Sequence, residues 1–512
     1  MTVVETMPKT PSAVRLRFTV AAWRLLEQHH RHDGPSERCS AAFGRLLQSD
    51  RGESVLVTER DIVLFADADY QWHLGAAVAI KPEAVRRLLW CFARSDAEAL
   101  ITIHDHWFDL GGTRFSMVDD HYDRQRDRYL RSTFAAMLGE AGFGPERQLR
   151  HLNLVFDQTS VDARQVDDRR RPAFVPVDTI HVPGHAHPVI VPNSAPRTPT
   201  NSRERQDFIR ADTAAALHSL RVAIVGVGGL GPLVAENLAR LGVGELILID
   251  PDRLETSNLN RWLAGRPDQV GALKTDLLQQ RLAVAVPDCS VRSVPASVLD
   301  ADGQQALHGV DWIVGAVDCD AARMVLNRAA CQQLLPYFDL AVLVRAHPLD
   351  FQTRLIPVFP GRSACLECSP LRVLDADRIQ LALNPTLATA KRSAGYVVDE
   401  PAAAAPSVMA LNTFIAGQAV LDMIGYLAGA GMINSEAEAA ADISAAPTPL
   451  LTRWRSNQRV RLGVHAAEVN CPCCHGLLGR GASPPLPRRR SDEDLHKAIL
   501  NLPDWPMSYT IG

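Results

Sequence analysis

Two patterns of hydrophobic and polar positions follow one another along the chain. Residues 14–157 mix helical patches such as AVRRLLWCFARS with short apolar runs such as ESVLV, DIVLFA, ALITI and HLNLVF, which predicts an α+β domain. From residue 221 the order becomes strand (RVAIV), glycine turn (GVGGLG), helix (PLVAENLARLG) and strand (ELILID), and the runs DWIVGAV, LPYFDLAVLV and TRLIPVF follow. This alternation predicts an α/β fold with a doubly wound, mostly parallel sheet.

Changes in composition mark the expected domain boundaries. Residues 158–202 are rich in Pro, Arg, Asp and Ser, so we expect a linker there. The α/β domain then covers 203–480, interrupted by a low-complexity stretch at 435–449, and 481–512 is predicted to be a flexible tail. The length also favours more than one domain, because 512 residues exceed a single core of roughly 250–300 residues.

Charge and composition narrow the range of partners. A hydrophobic content of 46%, a charged content of 22% and a formal charge of -4 are those of an ordinary globular protein without an electrostatic footprint for nucleic acid. No run approaches the ~20 apolar residues of a membrane-spanning helix, so we expect no membrane partner and a cytoplasmic location. The ten cysteines are too sparse for a disulfide scaffold, and five of them form two tight clusters, which indicates metal binding.

A glycine-rich turn follows the first strand of the α/β region. Glycines between a strand and a helix let backbone N–H groups approach phosphates at the positive end of the helix. By itself this pattern fits NAD or FAD as well as ATP. The glycines are Gly226, Gly228, Gly229 and Gly231.

Polar residues farther along favour a triphosphate. Asp250 stands about 20 residues beyond the glycines, where a carboxylate holds ribose hydroxyls. Asn258, Arg261 and Lys274 follow, and an amide with two cations suits phosphate charge better than it suits nicotinamide. Asp318 ends a later strand, at the edge where ligands bind in open α/β sheets, and its carboxylate can hold Mg²⁺.

At these residues the chain resembles the E1/MoeB/ThiF/HesA adenylyltransferases. The matching pieces GVGGLG, IDPDRLETSNLNR, GALKTD, AVDCDAAR and CLEC occur in the family's order over some 220 residues. The resemblance implies ATP-dependent adenylation of the C-terminal glycine of a ubiquitin-like protein, in which that carboxylate attacks the α-phosphate and pyrophosphate leaves. It also implies nucleotide binding by the glycines, ribose binding by Asp250, phosphate contacts from three side chains and magnesium binding by Asp318. The phosphate contacts are Asn258, Arg261 and Lys274, and Asp252 belongs to the same nucleotide-binding motif.

The family also implies an arginine that reaches the active site of a neighbouring subunit. Arg205, in the context RERQDFIRAD, matches best, and Arg210 is the second choice. If this arginine acts in trans, the protein is a homodimer. A solvated, helix-capping arginine is the alternative.

Two Cys-x-x-Cys knuckles lie about a hundred residues apart and predict one tetrahedral four-thiolate zinc site. Their cysteines are Cys365, Cys368, Cys471 and Cys474, with Cys473 or His475 as alternatives to the last. By resemblance this zinc is structural, and a dithiol redox role is the rival. No cysteine occurs in 369–412, so thioester formation, with Cys319 or Cys331 as nucleophile, and an E2-like partner stay open.

The N-terminal region carries a second metal pattern. His104 and His106 end an apolar strand, where alternation places both imidazoles on one face. Ser116 and Asp119 follow as Ser-x-x-Asp. Two histidines, a carboxylate and an open position for water are what a hydrolytic zinc needs.

This pattern resembles the JAB/MPN (JAMM) metallopeptidases. The match implies Glu37 as general base, His104, His106 and Asp119 as zinc ligands, and Ser116 as stabiliser of the oxyanion. Trp107 stands where the family has proline, the gap before Ser116 is longer than usual, and Asp120 is an alternative ligand. A metal-free JAB fold and two ordinary histidines are the alternatives, and the string GHAHP at 184–188 is predicted to be structural.

A JAB isopeptidase and an adenylating domain in one chain could both act on the same substrate, a ubiquitin-like protein. The precursor of a ubiquitin-like protein must be trimmed before its C-terminal glycine can be activated, and such fusions occur in bacterial ubiquitin-like operons. Two other functions stay open. One is ThiF-like activation of a sulfur carrier, small molecule or tRNA, and the other is an inactive adaptor that binds ubiquitin-like tails.

Overall fold

The structure is a computed structural model of the 512-residue chain. The residues that it describes are 14–32, 34, 36–74, 77–106, 115, 117–140, 149–157, 160–170, 172–185, 188–192, 206, 209, 211–263, 265–345, 349–393, 408–428, 450–453, 458–461 and 465–483. Among these, no helix combines the length and the apolar character needed to cross a bilayer.

The N-terminal part is an α+β unit built on one sheet. Its strands are β1 (Val14–Phe18), β2 (Cys39–Ser49), β3 (Gly52–Val57), β4 (Ile62–Leu64), β5 (Tyr70–Leu74), β6 (Ala77–Ile80), β7 (Ala99–Asp105), β8 (Arg150–Phe156), β9 (Val161–Val166), β10 (Phe174–His181) and β11 (Val189–Ile190). Its helices are α1 (Val20–His30), α2 (Pro82–Arg94) and α3 (Met117–Glu140). The order is β1-β3-β2-β7-β8-β9-β10-β11, and β1 also pairs with β10, so the sheet closes on itself. β5 and β6 form a separate hairpin.

The segment expected to be a linker contributes strands to this sheet. The sequence predicts an extended connection over 158–202, whereas β9, β10 and β11 lie inside that range. β9 is buried along its whole length although it carries Asp162 and Arg164. Arg164 is satisfied by an ion pair with Asp123 at 2.6 Å, so the strand can be buried despite its charge. The charged residues and prolines of this segment are typical of a linker, so its composition did not predict β9, β10 and β11.

The second part is the predicted α/β fold. Its strands are β12 (Arg221–Val225), β13 (Glu245–Ile249), β14 (Ser290–Val294), β15 (Trp312–Gly315), β16 (Tyr337–Arg345), β17 (Asp350–Val358), β18 (Leu450–Arg453) and β19 (Gln458–Arg461). Its helices are α4 (Ala211–Ser219), α5 (Gly231–Leu241), α6 (Lys274–Ala285), α7 (Ala301–Gln305), α8 (Asp320–Gln333), α9 (Ala376–Leu383), α10 (Pro385–Ser393) and α11 (Met409–Leu427). The sheet order is β14-β13-β12-β15-β16-β17-β18-β19. The strands from β14 to β16 pair in parallel, and the remaining pairs are antiparallel.

Both faces of this sheet are covered. Trp312 and Val314 of β15 belong to a core shared with α5 and α11, while Ile313 belongs to a core shared with α8. Successive side chains of a strand point to opposite faces, so a strand covered on both sides is continuously apolar. The prediction of an α/β fold with a doubly wound sheet, made from the alternation of strands and helices, is confirmed.

The two parts meet at the amino ends of the parallel strands. Asp311, directly before β15, is completely buried against Arg15 (3.2 Å), Arg17 (3.4 Å) and His181 (3.5 Å) of the N-terminal unit. Arg51 also pairs with Glu245, the first residue of β13, at 2.7 Å. The N-terminal unit therefore contacts the edge of the sheet formed by the amino ends of the parallel strands, which is opposite to the edge formed by their carboxyl ends.

Candidate functional site

Two glycines of the turn, Gly226 and Gly231, pack too closely against the backbone for a side chain. Gly226 has φ +91, and a Cβ there would lie 2.6 Å from the backbone oxygen of Ala316. A Cβ on Gly231, which begins α5, would lie 2.0 Å from the oxygen of Gly226. The turn is anchored by Trp262, whose indole N–H donates to the carbonyl of Val227 at 2.9 Å. The glycines thus bring the backbone next to the pocket described below.

A pocket of about 450 Å³ opens at the carboxyl edge of the parallel strands. Except for Gly231, every predicted nucleotide-binding residue lines it. These residues are Gly226, Gly228, Gly229, Asp250, Asp252, Asn258, Arg261, Lys274 and Asp318. The fold therefore brings these residues to one pocket, and their roles in nucleotide binding stay predictions.

Asp250 directly follows β13 and is largely buried. Its carboxylate accepts hydrogen bonds from the backbone N–H groups of Val227, at 2.5 Å, and Asp252, at 2.8 Å. Burial raises the pKa of Asp250, although these two bonds oppose the shift. The side chain of Asp250 thus connects the glycine turn with the carboxyl end of β13 and places a carboxylate in the pocket.

Cationic side chains line the same pocket. Lys274 begins α6, is 7% exposed and donates to Asp252 at 2.8 Å. The guanidinium of Arg261 donates to the carbonyl of Ser257 at 2.8 Å, and the side-chain oxygen of Asn258 accepts from the N–H of Glu255 at 3.1 Å. Lys274 and Arg261 thus bring positive charge next to the glycine turn, where phosphate groups could be contacted, while the carboxylates of Asp250, Asp252 and Asp318 line the same pocket.

The loop after β15 presents Asp318 as an exposed carboxylate. Arg323 holds this loop in place, because it donates to the carbonyl of Val317 at 2.6 Å and to the carboxylate of Asp320 at 2.9 Å. The buried Asp339 of β16 accepts from Arg323 at 3.2 Å. Sequence reasoning assigned no role to Arg323, although it lies within the motif AVDCDAAR.

Asn412 also lines the pocket and was missed. It lies on α11, and its side-chain nitrogen would be 2.6 Å from a Cβ on Gly229. Nothing near Asn412 in the sequence resembles a nucleotide motif, because α11 reaches the glycine turn only through the tertiary fold.

The four predicted knuckle cysteines come together. The Sγ–Sγ distances are 3.9 Å for Cys365–Cys368, 3.7 Å for Cys365–Cys471 and 3.7 Å for Cys368–Cys474, and all four thiols are buried. A tetrahedron of thiolates about 2.3 Å from a zinc ion has edges of about 3.8 Å, so the set fits zinc. Cys473 lies outside this group and accepts a hydrogen bond from Asn327 at 3.3 Å. The choice of Cys474 over Cys473 agrees with this geometry.

The two cysteines proposed as nucleophiles differ in surroundings. Cys331 is 1% exposed, and its thiol lies within hydrogen-bonding reach of Cys365 and Cys474. Cys319 is partly exposed and lines the pocket beside Asp318. Of these two cysteines, only Cys319 lines the pocket, where the C-terminal tail of a substrate protein could reach it.

The N-terminal metal pattern also converges. His104 is the penultimate residue of β7, His106 directly follows the strand, and Asp119 lies in the first turn of α3. Asp119 Oδ1 is 3.4 Å from His104 Nε2, and its Oδ2 is 3.6 Å from His106 Nε2. Both ring nitrogens of His104 are buried without a hydrogen bond to any described residue. Asp120 instead pairs with Arg164 at 2.5 Å, which favours Asp119 as the ligand. The set fits zinc, because two imidazoles and a carboxylate surround one point.

Glu37 lies beside this cluster. β2 and β7 pair antiparallel as far as Cys39 opposite His104, so Glu37 lies two residues beyond this pair, where its carboxylate interacts electrostatically with His106 and Asp119. Burial raises the pKa of Glu37 to about 7, with Asp105 and Asp119 adding to the shift and His106 opposing it. A carboxylate with this pKa can accept and return a proton near neutral pH.

Some of the predicted residues lie outside the part of the chain that the structure describes, and one further histidine motif lies away from both sites. Ser116, Arg205, Arg210 and Trp107 are outside the described residues. In the string GHAHP, His185 lies 3.3 Å from Glu27 of α1, and a structural role for this string stays a prediction.

Comparisons with known proteins concern the second part of the chain. A model of the ThiF family matches residues 201–458, which is half of the 512 residues. The chain is similar to ubiquitin-like modifier-activating enzyme 5 of Oryza sativa subsp. japonica, at 34% identity over 172 residues, 31% of this chain and 40% of that protein. The same enzyme of Dictyostelium discoideum is 30% identical over 231 residues, 43% of this chain and 55% of that protein.

The chain thus spans about half, or less, of the length of these curated relatives. Among solved structures, E. coli MccB with ATP aligns with a TM-score of 0.40 at 19% identity, covering 54% of this chain and 75% of that one. The family match begins at residue 201, after the N-terminal unit, so it does not test the JAB/MPN resemblance of that unit. With half of its length matched by the family model and its glycine turn at the carboxyl edge of a parallel sheet, the chain belongs to the ThiF family.

Proposed function

We propose that the ThiF part uses ATP to adenylate the C-terminal carboxylate of a ubiquitin-like protein. The observation that carries the proposal is the pocket at the carboxyl edge, where the glycine turn meets three cationic side chains and four carboxylates, among them Lys274, Arg261, Asp250 and Asp318. Family membership supports nucleotide activation, and the names of the curated relatives support a ubiquitin-like substrate.

Each side chain of the pocket has a part in this reaction. Asp250 would bind the ribose hydroxyls, and Lys274 and Arg261 would neutralise phosphate charge. Asp318 is the exposed carboxylate that would hold Mg²⁺, and Mg²⁺ when bound supplies further neutralisation of the phosphates. The substrate carboxylate attacks the α-phosphorus, the bond to the pyrophosphate oxygen breaks, and catalysis comes from positioning and from charge stabilisation.

ATP–pyrophosphate exchange separates this proposal from its rivals. The assay is run without a carrier and with candidate carriers that end in glycine. Exchange that requires a ubiquitin-like protein supports the proposal. Exchange that requires a sulfur carrier, a small molecule or tRNA supports ThiF-like activation of that other substrate, and no exchange with any of them supports an adaptor.

Further features of the ThiF part are proposals of the same kind. The four cysteines would hold a structural zinc that joins the two knuckles. Arg205 would reach a partner's pocket in a homodimer, which mixing an Arg205→Ala chain with an Asp318→Ala chain tests, because only a trans-acting arginine restores activity. A thioester on Cys319 and transfer to an E2-like protein would follow adenylation, and mass spectrometry of the charged enzyme would detect that thioester.

We further propose that the N-terminal unit is a zinc isopeptidase acting on the same class of substrate. The observation that favours it is His104, whose two buried nitrogens lack hydrogen bonds to the described residues while His106 and Asp119 converge on the same point. Zinc, when bound, lowers the pKa of a coordinated water to about 7. Glu37 is placed to take a proton from that water and to pass it to the leaving amine.

Cleavage of a ubiquitin-like protein extended beyond its last glycine tests this activity. Wild-type protein should cleave after the glycine, a chelator should stop the reaction, and Glu37→Gln should lose cleavage but keep zinc. Exchange activity should survive in Glu37→Gln, because its pocket lies at the far edge of another sheet. Equal cleavage by wild type and Glu37→Gln would reject Glu37 as the base, and absence of zinc at His104 and His106 would reject the peptidase.

A further inference from the structure

A buried carboxylate stands between the two candidate metal-binding histidines. Asp105 alternates with His104 and His106 along β7, so its side chain points to the opposite face of the strand. It is fully buried, and both of its oxygens accept from the backbone N–H of Arg38 at 3.2 Å. Asp105 therefore holds the residue that follows Glu37.

A short hydrogen-bonded chain fixes Asp105 from the other side. The ring of His30, at the end of α1, lies with Nδ1 2.9 Å from Asp105 and Nε2 2.7 Å from the hydroxyl of Ser40. When Nε2 accepts from Ser40, Nδ1–H donates to the carboxylate, and all three side chains are buried. The network thus connects α1, β2 and β7 at one point.

The register explains why this connection matters for Glu37. Regular pairing of β2 with β7 ends at Cys39 opposite His104. One step farther the N–H of Arg38 is held by the side chain of Asp105 instead of a backbone carbonyl. No described residue forms a hydrogen bond with the carboxylate of Glu37, so its position depends on the backbone on either side of it.

We propose that Asp105 is a positioning residue that holds Glu37 over the metal cluster through the N–H of Arg38. The inference rests on the proposed peptidase and adds a residue to it. Asp105 does not belong to the group of candidate ligands, so its loss should leave metal binding intact while the base moves away from the metal-bound water. Displacing a catalytic group by about 1 Å can lower the rate by about 100-fold, so we expect a loss of about 10- to 100-fold when Asp105 is removed.

Three variants test the proposal. Asp105→Ala removes the acceptor, and Asp105→Asn keeps a carbonyl oxygen that can accept from Arg38. The matched control is Asp61→Ala, because Asp61 is also a buried carboxylate that accepts from a backbone N–H (Thr58, 2.8 Å) and pairs with a base (Arg45, 3.0 Å). Each protein is loaded with zinc as the full chain, and metal content, amide exchange and cleavage of the glycine-extended substrate are measured.

For Asp105→Ala we expect unchanged zinc content, faster exchange at the amide of Arg38, an unchanged KM and a kcat lower by about 10- to 100-fold. Asp105→Asn should recover part of the rate, and Asp61→Ala should match wild type in kcat and in the exchange of Arg38. A merely structural role would instead lower zinc content, or would affect Asp105→Ala and Asp61→Ala alike.

Two results would overturn the inference. The first is a wild-type kcat in Asp105→Ala, and the second is unchanged exchange at Arg38. If wild-type protein itself does not cleave, the peptidase proposal fails separately. Crystal structures of zinc-loaded wild type and Asp105→Ala would then decide the positioning role, because the proposal expects the carboxylate of Glu37 to be displaced in this variant, and an undisplaced carboxylate would overturn it.

Discussion

The buried ion cluster between the two parts makes a strong prediction about stability. Asp311 bonds Arg15 and Arg17 across the interface, and its Oδ2 accepts from the backbone N–H of Arg221 at 3.0 Å. Asp311→Ala would leave both guanidinium groups buried without their carboxylate. A buried charge that loses its partner is costly, because water cannot replace the lost interaction.

The size of the effect follows from these contacts. At 3.2 to 3.4 Å and an effective dielectric constant of about 20, each ion pair is worth about 5 kcal/mol before desolvation. Arg15 keeps the carbonyl of Gly309 and Arg17 keeps that of Gln333, which offsets part of the loss. We expect Asp311→Ala to lower the free energy of unfolding by about 3–5 kcal/mol, as for other broken buried pairs.

Urea unfolding followed by circular dichroism measures this change. The matched control is Asp268→Ala, because Asp268 pairs with Arg266 at 2.9 Å but both side chains are about two-thirds exposed. Solvent screens such a pair, so the control should unfold like wild type. If Asp311→Ala also unfolds like wild type, the cluster does not join the two parts and the interface account is wrong.

Two further predictions concern the zinc cluster and pH. Cys365→Ser should lose zinc and lower the melting temperature, because a structural zinc contributes folding energy directly. The control is Cys289→Ser, at a buried cysteine away from the cluster, which should keep its metal. Equal metal content in the two variants would reject the site. Burial lowers the pKa of His181 to about 4, so the folded state keeps it neutral beside Asp311 and Arg17. Below pH 6.5 the unfolded chain binds a proton at His181 and the folded chain does not. The free energy of unfolding should therefore be highest above pH 6.5 and should fall by about 3 kcal/mol as the pH is lowered to 4. His181→Gln should flatten the pH dependence of urea unfolding by that amount, and an unchanged profile would contradict the shift.

Local patterns in the sequence predicted most of the α/β part. The glycine turn, Asp250 and Asp318 each follow an apolar strand, and carboxyl ends of parallel strands meet at one edge, so the pocket could be foreseen. The pairing of the two knuckles was predicted by ligand chemistry, although the chain between them is long.

Contacts between distant segments were not predictable in this way. β9 and β10 were hidden because buried charges such as Arg164 are paired only in the folded state. Asn412 reaches the pocket from α11 without a local motif, and Asp311 finds its partners in another unit. Each of these features depends on tertiary partners that a single sequence does not reveal.

ATP–pyrophosphate exchange in Asp318→Ala tests the central claim most directly. Wild-type protein should exchange label only in the presence of a glycine-ended ubiquitin-like protein. Asp318→Ala should lose exchange while its ATP affinity stays within about tenfold of wild type, because alignment of the metal and phosphates matters most in the transition state. Asp377→Ala, at an exposed carboxylate of α9 outside the pocket, should exchange like wild type. Wild-type exchange by Asp318→Ala would contradict the account.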